Sequence, residues 1–267
     1  MDVLPTSTTA DSVLEHAPAG IQSLTEALSG ALTISEIADV VYRHVPGLTG
    51  AAAGAIVLRA GADDVLEPIG GGPDHAAHLT AYEHLQLDAS TPAASVVRSG
   101  QPAWINALAR AQTERTYQHL PECAMGYQAL AALPLVLDNE VSGVLLLLFG
   151  TEQAFHLDER MLLVAVAGQC AVALQRAAAF ASERASRERL EVALNAASMG
   201  TWDWDLRVNR VAWSPELERI HGFDEGGLGA GLDRYFEHLH PDDRERIRDE
   251  IVESLESGEL HINYRGV

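Results

Sequence analysis

The chain has little of what ties proteins to nucleic acid, to oxidising compartments or to membranes. It carries 18 basic residues against 38 acidic ones, a formal net charge of -20. With no dense run of basic side chains, that balance disfavours nucleic acid and anionic lipid as partners. Cysteine occurs twice, at Cys123 and Cys170. Two thiols so far apart argue against a disulfide scaffold and fit a reducing compartment. Met1-Asp-Val-Leu-Pro5 lacks the basic and apolar regions of a secretory leader. No apolar run reaches the ~18–20 residues of a membrane span, so the expected location is the cytoplasm. What is present is a 47% hydrophobic composition over 267 residues, enough for a packed core and about two domains.

Residues 1–17 are polar and read as a flexible lead-in. Ile21, Leu24, Leu28 and then Ile34, Ile37, Val41 recur at spacings of three and four, predicting two helices split near Gly30, with Thr33 or Ser35 as the second cap. Residues 51–58 and 65–69 read as a hairpin, 74–85 as a short helix, and Leu87 as the start of a strand. Thr91-Pro92 opens a helix that Gly100 ends, with Ala93, Val96 and Val97 inward. A short strand follows at 102–105, then a helix or long loop at 106–122. The clearest hairpin is Leu130–Leu137, a turn at Asp138-Asn-Glu140, and Val141–Phe149. Its nearly continuous apolar strands imply cover on both faces of the sheet. From Leu157 a long helix begins. Leu163, Val166, Cys170, Ala173, Ala177 and Phe180 form a seam suited to a partner helix. The helix reads either as one piece to Ala197 or as two abutting pieces with a charged joint.

Several of these segments carry a family resemblance. Thr91-Pro-Ala-Ala-Ser-Val-Val-Arg-Ser-Gly-Gln-Pro-Ala-Trp104, Ala131-Ala-Leu-Pro-Leu135, Val141-Ser-Gly-Val-Leu-Leu-Leu-Leu-Phe149 and Phe155-His-Leu-Asp-Glu159 resemble, in order, a bacterial GAF domain. Met199-Gly-Thr-Trp-Asp-Trp-Asp-Leu206, Trp213-Ser-Pro215, Ile220-His-Gly-Phe223 and His240-Pro-Asp-Asp243 resemble a PAS domain. The implied fold class is α+β: a GAF-type antiparallel sheet flanked by helices, a long connecting helix, and a PAS-type α/β domain incomplete at its C-terminus. The implied divisions are a GAF domain at 18–176, a connecting helix at 157–197 and a PAS domain at 198–267. In that resemblance the alternating run Leu260–Arg265 opens a late strand, and an output unit is expected beyond Val267.

Candidate chemistry is sparse. Phe155, Asp158 and Glu159 match only the tail of a cyclic-nucleotide motif, and a core plug followed by acids at a helix N-terminus explains them. Cys123 is loosely placed for a bilin thioether but lacks the following histidine, and no lysine or arginine lies within the next seven residues to activate it. His75, His78 and His84 have metal-like spacing without further ligands, so a solvated helix face is expected. His238, His240, Asp242 and Asp243 read as a helix start. Gly70-Gly-Gly72 lacks the Lys-Ser/Thr of a phosphate loop. No catalytic motif is present, so no activity is expected of these residues themselves.

The GAF resemblance places a pocket between the sheet and residues 106–127, where Trp104, Tyr117, His119, Cys123 and Tyr127 are the candidate ligand contacts. In the PAS segment Trp202, Trp204 and Trp213 are the candidate pocket residues. The expectation is a sensory input module, homodimeric through the Leu163–Phe180 seam. It senses an unknown small ligand for an effector: a serine phosphatase by preference, or a histidine kinase or diguanylate cyclase. No cofactor or metal is assigned. The alternatives are a ligand-free dimerisation scaffold and a stand-alone GAF-fold redox enzyme; the latter needs clustered catalytic cysteines that Cys123 and Cys170 do not supply.

Overall fold

The computed structural model describes residues 8–61, 65–69, 82–117, 120, 122, 125–205, 207–208, 210–224, 226, 232–257 and 261–265. It divides into two compact units, 1–183 and 184–267. In the first, helices α1 (Thr8–Gly30) and α2 (Ile34–Thr49) precede strands β1 (Ala53–Ala60), β2 (Val65–Ile69) and β3 (Leu85–Gln86). Then come α3 (Pro92–Ser99), β4 (Ala103–Ile105), α4 (Leu108–Thr113), β5 (Ala129–Leu137), β6 (Glu140–Phe149) and α5 (Leu157–Ala196). α1 therefore begins within the stretch read as a lead-in. α5 is one helix of 40 residues rather than two abutting pieces. Most of the predicted 74–85 helix lies outside the described residues. Leu85, assigned to its end, instead pairs with Leu66 as part of β3.

Local chemistry sets these boundaries. The Thr33 hydroxyl accepts from the Glu36 N–H while the Glu36 carboxylate accepts from the Thr33 N–H, a reciprocal cap on α2. Thr91 caps α3 one way only, its hydroxyl accepting from the Ala94 N–H, Pro92 stands in its first turn, and Gly100 closes it at φ 68°. Asp138 and Asn139, at φ 50° and 68°, make the two-residue turn that joins β5 to β6.

The sheet is antiparallel with order β3-β2-β1-β6-β5-β4, and its central strands are buried on both faces. Alternation sorts their side chains between two cores. Leu133, Leu135, Leu145 and Leu147 join Leu24 of α1, Val41 of α2 and Val166 of α5 on one face. Leu130, Leu146, Leu148 and Val57 join Val96 of α3 and Leu108 of α4 on the other. Each fully buried Leu contributes about 1.5–3 kcal/mol of transfer free energy, so the double-sided cover dominates this unit's stability.

The seam residues of α5 do not await a partner helix. Leu163, Val166, Cys170, Ala173 and Ala177 are buried in their own chain's first core, and only Phe180 is exposed. Burial raises the Cys170 thiol to about 12, so it behaves as a small apolar group. α5 is also apolar enough over 18 residues to match a membrane span by composition, against the sequence expectation. Half of that window is buried within the chain, where the inner face of α5 packs into the first core.

In the second unit, β7 (Trp202–Asp205) and β8 (Arg210–Trp213) pair antiparallel, with Trp202 opposite Trp213 and Trp204 opposite Val211. Helix α6 (Pro215–Ile220), helix α7 (Leu232–His238), a 3-10 turn at Pro241–Asp243 and helix α8 (Arg244–Ser257) follow. A small core gathers Tyr235, Leu239, Ile247 and Ile251, with Trp204, Trp213 and Tyr264 packed against it.

Candidate functional site

Each unit contains a cavity. In the first, a hollow of about 760 Å³ opens between β4, α4 and the 152–154 segment. Trp104 enters it from β4, where it pairs with Ala131, and its ring lies 5.5 Å from Phe155. The Arg160 guanidinium lies over the Trp104 ring at 5.2 Å. Phe155 is buried at φ 45°, an uncommon conformation for so large a side chain. The expected core plug is therefore held in place by packing, while Glu159 caps the helix by accepting from the His156 N–H at 2.8 Å.

Of the five residues proposed here from sequence, Trp104 and Tyr117 line this hollow. Tyr127 packs against the second core instead, and burial raises its hydroxyl pKa. His119 and Cys123 lie outside the described residues, as do His75, His78 and Gly70–Gly72. Sequence reading missed the polar rim of Asn106, Arg110, Glu114 and Glu152. Arg110 and Glu114 pair at 2.7 Å one helical turn apart, a spacing that could have flagged them. Also unforeseen is the buried hydrogen bond from the Tyr82 hydroxyl to Glu122 at 2.8 Å. Burial first, and the Glu122 carboxylate second, hold that phenol well above its ordinary pKa. His84 sits exposed beside Glu67 at 3.3 Å. Among the described residues no cluster of three His, Cys, Asp or Glu side chains is arranged to hold a metal.

The second cavity, about 610 Å³, is more enclosed and is lined chiefly by aromatic and aliphatic side chains. Trp202, Trp204 and Trp213 line it from the β-hairpin, Tyr235 from α7, and Ile262 and Tyr264 from the 261–265 segment. Trp202 is half-exposed, so it forms the rim, while Trp204 and Trp213 form the wall. Gly200 lets α6 close the near end: a Cβ there would lie 2.3–2.6 Å from the Leu217 backbone and Cβ. Trp213 is the hub, its ring 4.7 Å from His221, 5.6 Å from Tyr235 and 6.4 Å from Phe223. Such edge-to-face contacts add stability beyond their buried area.

The 261–265 wall was expected as a ladder strand, yet no strand pairing is recorded for it among the described residues. Side chains hold it instead. The Arg265 guanidinium donates to both Asp243 oxygens at 2.9 and 3.0 Å, and its N–H donates to Asp243 at 3.1 Å. The His240 N–H donates to the Arg265 carbonyl at 2.8 Å, and Arg246 donates to the Asn263 carbonyl at 2.7 Å. Tyr264 meets His221 Nε2 at 2.8 Å while His221 Nδ1 meets the Leu217 carbonyl at 2.9 Å. Because that carbonyl can only accept, Nδ1 carries a proton, and in the neutral ring Nε2 accepts from Tyr264. His240-Pro-Asp-Asp243 thus opens a helix, as its sequence suggests, and also anchors a segment 22 residues away.

The Arg265 hydrogen bonds hold the Asp243 carboxyl well below the usual carboxylate range. Its contribution to stability is complete above the unfolded-state pKa of about 3.9 and is lost as pH falls below that value. Asp243→Asn should therefore lower the melting temperature of the second unit at pH 7 and flatten its fall between about pH 4 and 2. Parallel wild-type and mutant acid titrations followed by near-UV circular dichroism check this; parallel curves at all pH would refute it.

Comparison with known proteins identifies the families of the two units. The GAF-domain family model matches residues 31–175, and the PAS-fold model matches residues 210–266. The chain belongs to the GAF domain family and carries a PAS fold after its GAF domain. The first unit is similar in fold to the GAF domain of a Coxiella burnetii phosphoenolpyruvate-protein phosphotransferase. Identity there is 15% and the TM-score 0.54, over 63% of this chain and 98% of that one. It also resembles a Neisseria meningitidis free methionine-R-sulfoxide reductase solved with its substrate, at 12% identity and TM-score 0.51, covering 66% of this chain and 98% of that one. At such identities the likeness concerns fold alone. The non-motile and phage-resistance protein of Caulobacter vibrioides is 31% identical over 80 residues, 30% of this chain. The match spans 9% of that protein's length. GAF and PAS domains are typical sensor modules of signal transduction, and that coarse role is this chain's.

Proposed function

We propose that the chain senses a small, uncharged, planar molecule in its PAS cavity and passes the binding event to an effector. The observation that carries this reading is the cavity wall: three Trp, two Tyr and several aliphatic side chains with His261 and Asn263, and no Asp, Glu or Arg among the described lining residues. Its volume falls in the range of small-molecule sites, and flat aromatic walls favour flat ligands. The polar tips of Tyr235, Tyr264 and Asn263 would fix orientation. For the effector it serves, a serine phosphatase is favoured by the GAF subtype resemblance, with a histidine kinase or diguanylate cyclase next. The residues described carry out recognition, not turnover.

Titration of the purified chain with indole, lumichrome and ADP tests the reading. The two neutral planar compounds should quench tryptophan emission and raise the melting temperature of the PAS unit, and ADP should do neither. Tight binding of ADP, or no response to either neutral compound at millimolar concentration, would overturn it.

A further inference from the structure

The wall of the PAS cavity has a fixed hydrogen-bond polarity. His261 and Asn263 are exposed at its mouth, whereas Tyr235 is buried and Tyr264 half-buried, so these two phenols supply its inner hydroxyls. Where their protons go is decided behind the wall. The Leu217 carbonyl, held in α6, can only accept, so it takes the proton on His221 Nδ1 at 2.9 Å. That leaves Nε2 of the neutral ring as an acceptor, and the Tyr264 hydroxyl 2.8 Å away donates to it. Packing keeps the ring from exchanging its nitrogens, with Trp213 at 4.7 Å and Tyr264 stacked at 6.0 Å. His238, 5.7 Å away, disfavours charging both imidazoles. Tyr235 is hydrogen-bonded to Tyr264. Burial, then the charge and hydrogen bond of Tyr264, hold the Tyr235 phenol well above its ordinary pKa and keep it protonated. With the Tyr264 proton committed to His221, Tyr235 is the donor of that pair. Both phenol protons are spent within the wall, and oxygen lone pairs remain for a ligand.

We propose that the relay from Tyr235 through Tyr264 to His221 makes the PAS cavity selective for planar ligands that carry an N–H or O–H donor, such as indoles and phenols, over isosteres that only accept, such as benzofurans and quinones. The proposal rests on the reading of this cavity as a ligand site and adds its polarity. Tyr264 is the residue that meets the ligand. His221 is a positioning residue, acting through the Tyr264 proton. The phenol is also held from both sides along the chain, since the Asn263 carbonyl accepts from Arg246 and Arg265 donates to Asp243. An acceptor ligand therefore meets oxygen lone pairs, and gains a donor only by breaking the bond from Tyr264 to His221. A donor ligand extends the relay and breaks nothing. One net hydrogen bond gained against one unmet acceptor separates the two classes by about tenfold or more.

Indole and benzofuran share a shape and differ in one group, an N–H against an ether oxygen, and burial of apolar area alone favours benzofuran. Equilibrium dialysis on the full chain should find indole bound about tenfold tighter. Tyr264→Phe keeps the ring and should erase the preference by weakening indole alone. His221→Leu should erase it the opposite way: the freed Tyr264 hydroxyl turns its proton to the ligand, so benzofuran gains while indole holds. Nitrogen-15 NMR of the histidine-labelled chain at about pH 8 reads the tautomer directly. The signal lost in His221→Leu should be that of a ring protonated on Nδ1 and bare on Nε2. Benzofuran bound as tightly as indole, both compounds weakened alike in Tyr264→Phe, or a His221 ring protonated on Nε2 would each overturn the inference and leave the cavity reading standing. Binding of neither compound would overturn both.

Discussion

Gly143→Ala should lower the melting temperature of the GAF domain by roughly 6–12 °C, at about 3 kcal/mol of overpacking and ~2–4 °C per kcal/mol for a unit of this size. Gly143 stands on β6, flanked by Leu58 on β1 and Leu135 on β5. A Cβ there would lie 2.4 Å from Leu58 Cδ2, 2.5 Å from the Val57 carbonyl oxygen and 3.2 Å from Leu58 Cα. The side-chain contact can relax by rotation, but the backbone contacts cannot, because β1 is hydrogen-bonded on both sides in the centre of the sheet. The ladder must part or the strand must bend. Gly47→Ala is the matched control: it is exposed in α2 with nothing within 4 Å of the added carbon. There the methyl should stabilise by about 0.5–1 kcal/mol, since glycine is a poor helix former. Differential scanning calorimetry of both variants decides the matter, and equal melting temperatures would refute the steric reading.

Trp213→Ala should remove both the stability and the ligand response of the PAS unit. The indole touches the rings of His221, Phe223 and Tyr235 and lines the cavity. Truncating a large core aromatic typically costs ~3–5 kcal/mol, and the partial exposure of Trp213 puts it at about the lower end. A unit of this size has little reserve, and roughly 4–8 °C is lost per kcal/mol. The second calorimetric transition should therefore fall by ten degrees or more, on the order of the product of those two figures. Tyr264→Phe separates stability from recognition, because it keeps the ring and removes only the hydroxyl that meets His221. It should fold and retain binding of planar compounds with altered affinity. A Trp213→Ala protein that melts within about 3 °C of wild type would show that the aromatic hub is not what holds the unit together.

Much of the local structure was legible in the chain because it depends on neighbours in sequence. Thr33 with Glu36, Thr91 with Pro92, and Gly100 specify caps within four residues of where they act. Apolar β5 and β6 around Asp138-Asn139 specify a hairpin with both faces covered. Candidate site residues were legible in part. Trp204 and Trp213 sit on facing strands of the hairpin and reach one cavity. Trp104 and Tyr117 also share a hollow, but Tyr127 turns to another core. The difference is that ring content marks a residue as packable without naming the face it packs on.

Sequence alone determined the α+β class, the two sensor families, the helix caps and the acidic character that disfavours nucleic acid. Tertiary structure decided which side of α5 faces the core. Positions 163, 166, 170, 173 and 177 and positions 157, 161, 164, 168 and 172 are both apolar stripes at helical spacing, and the run 161–175 offers no charged residue to break the tie. Only docking against Leu24, Val41 and the sheet selects the first set. It also decided that Asp243 would anchor Arg265, because an ion pair across 22 residues forms only once the chain between them has folded back. Pairings between distant residues cost loop-closure entropy that the assembled core must offset, so they belong to the fold and not to any local stretch of the chain.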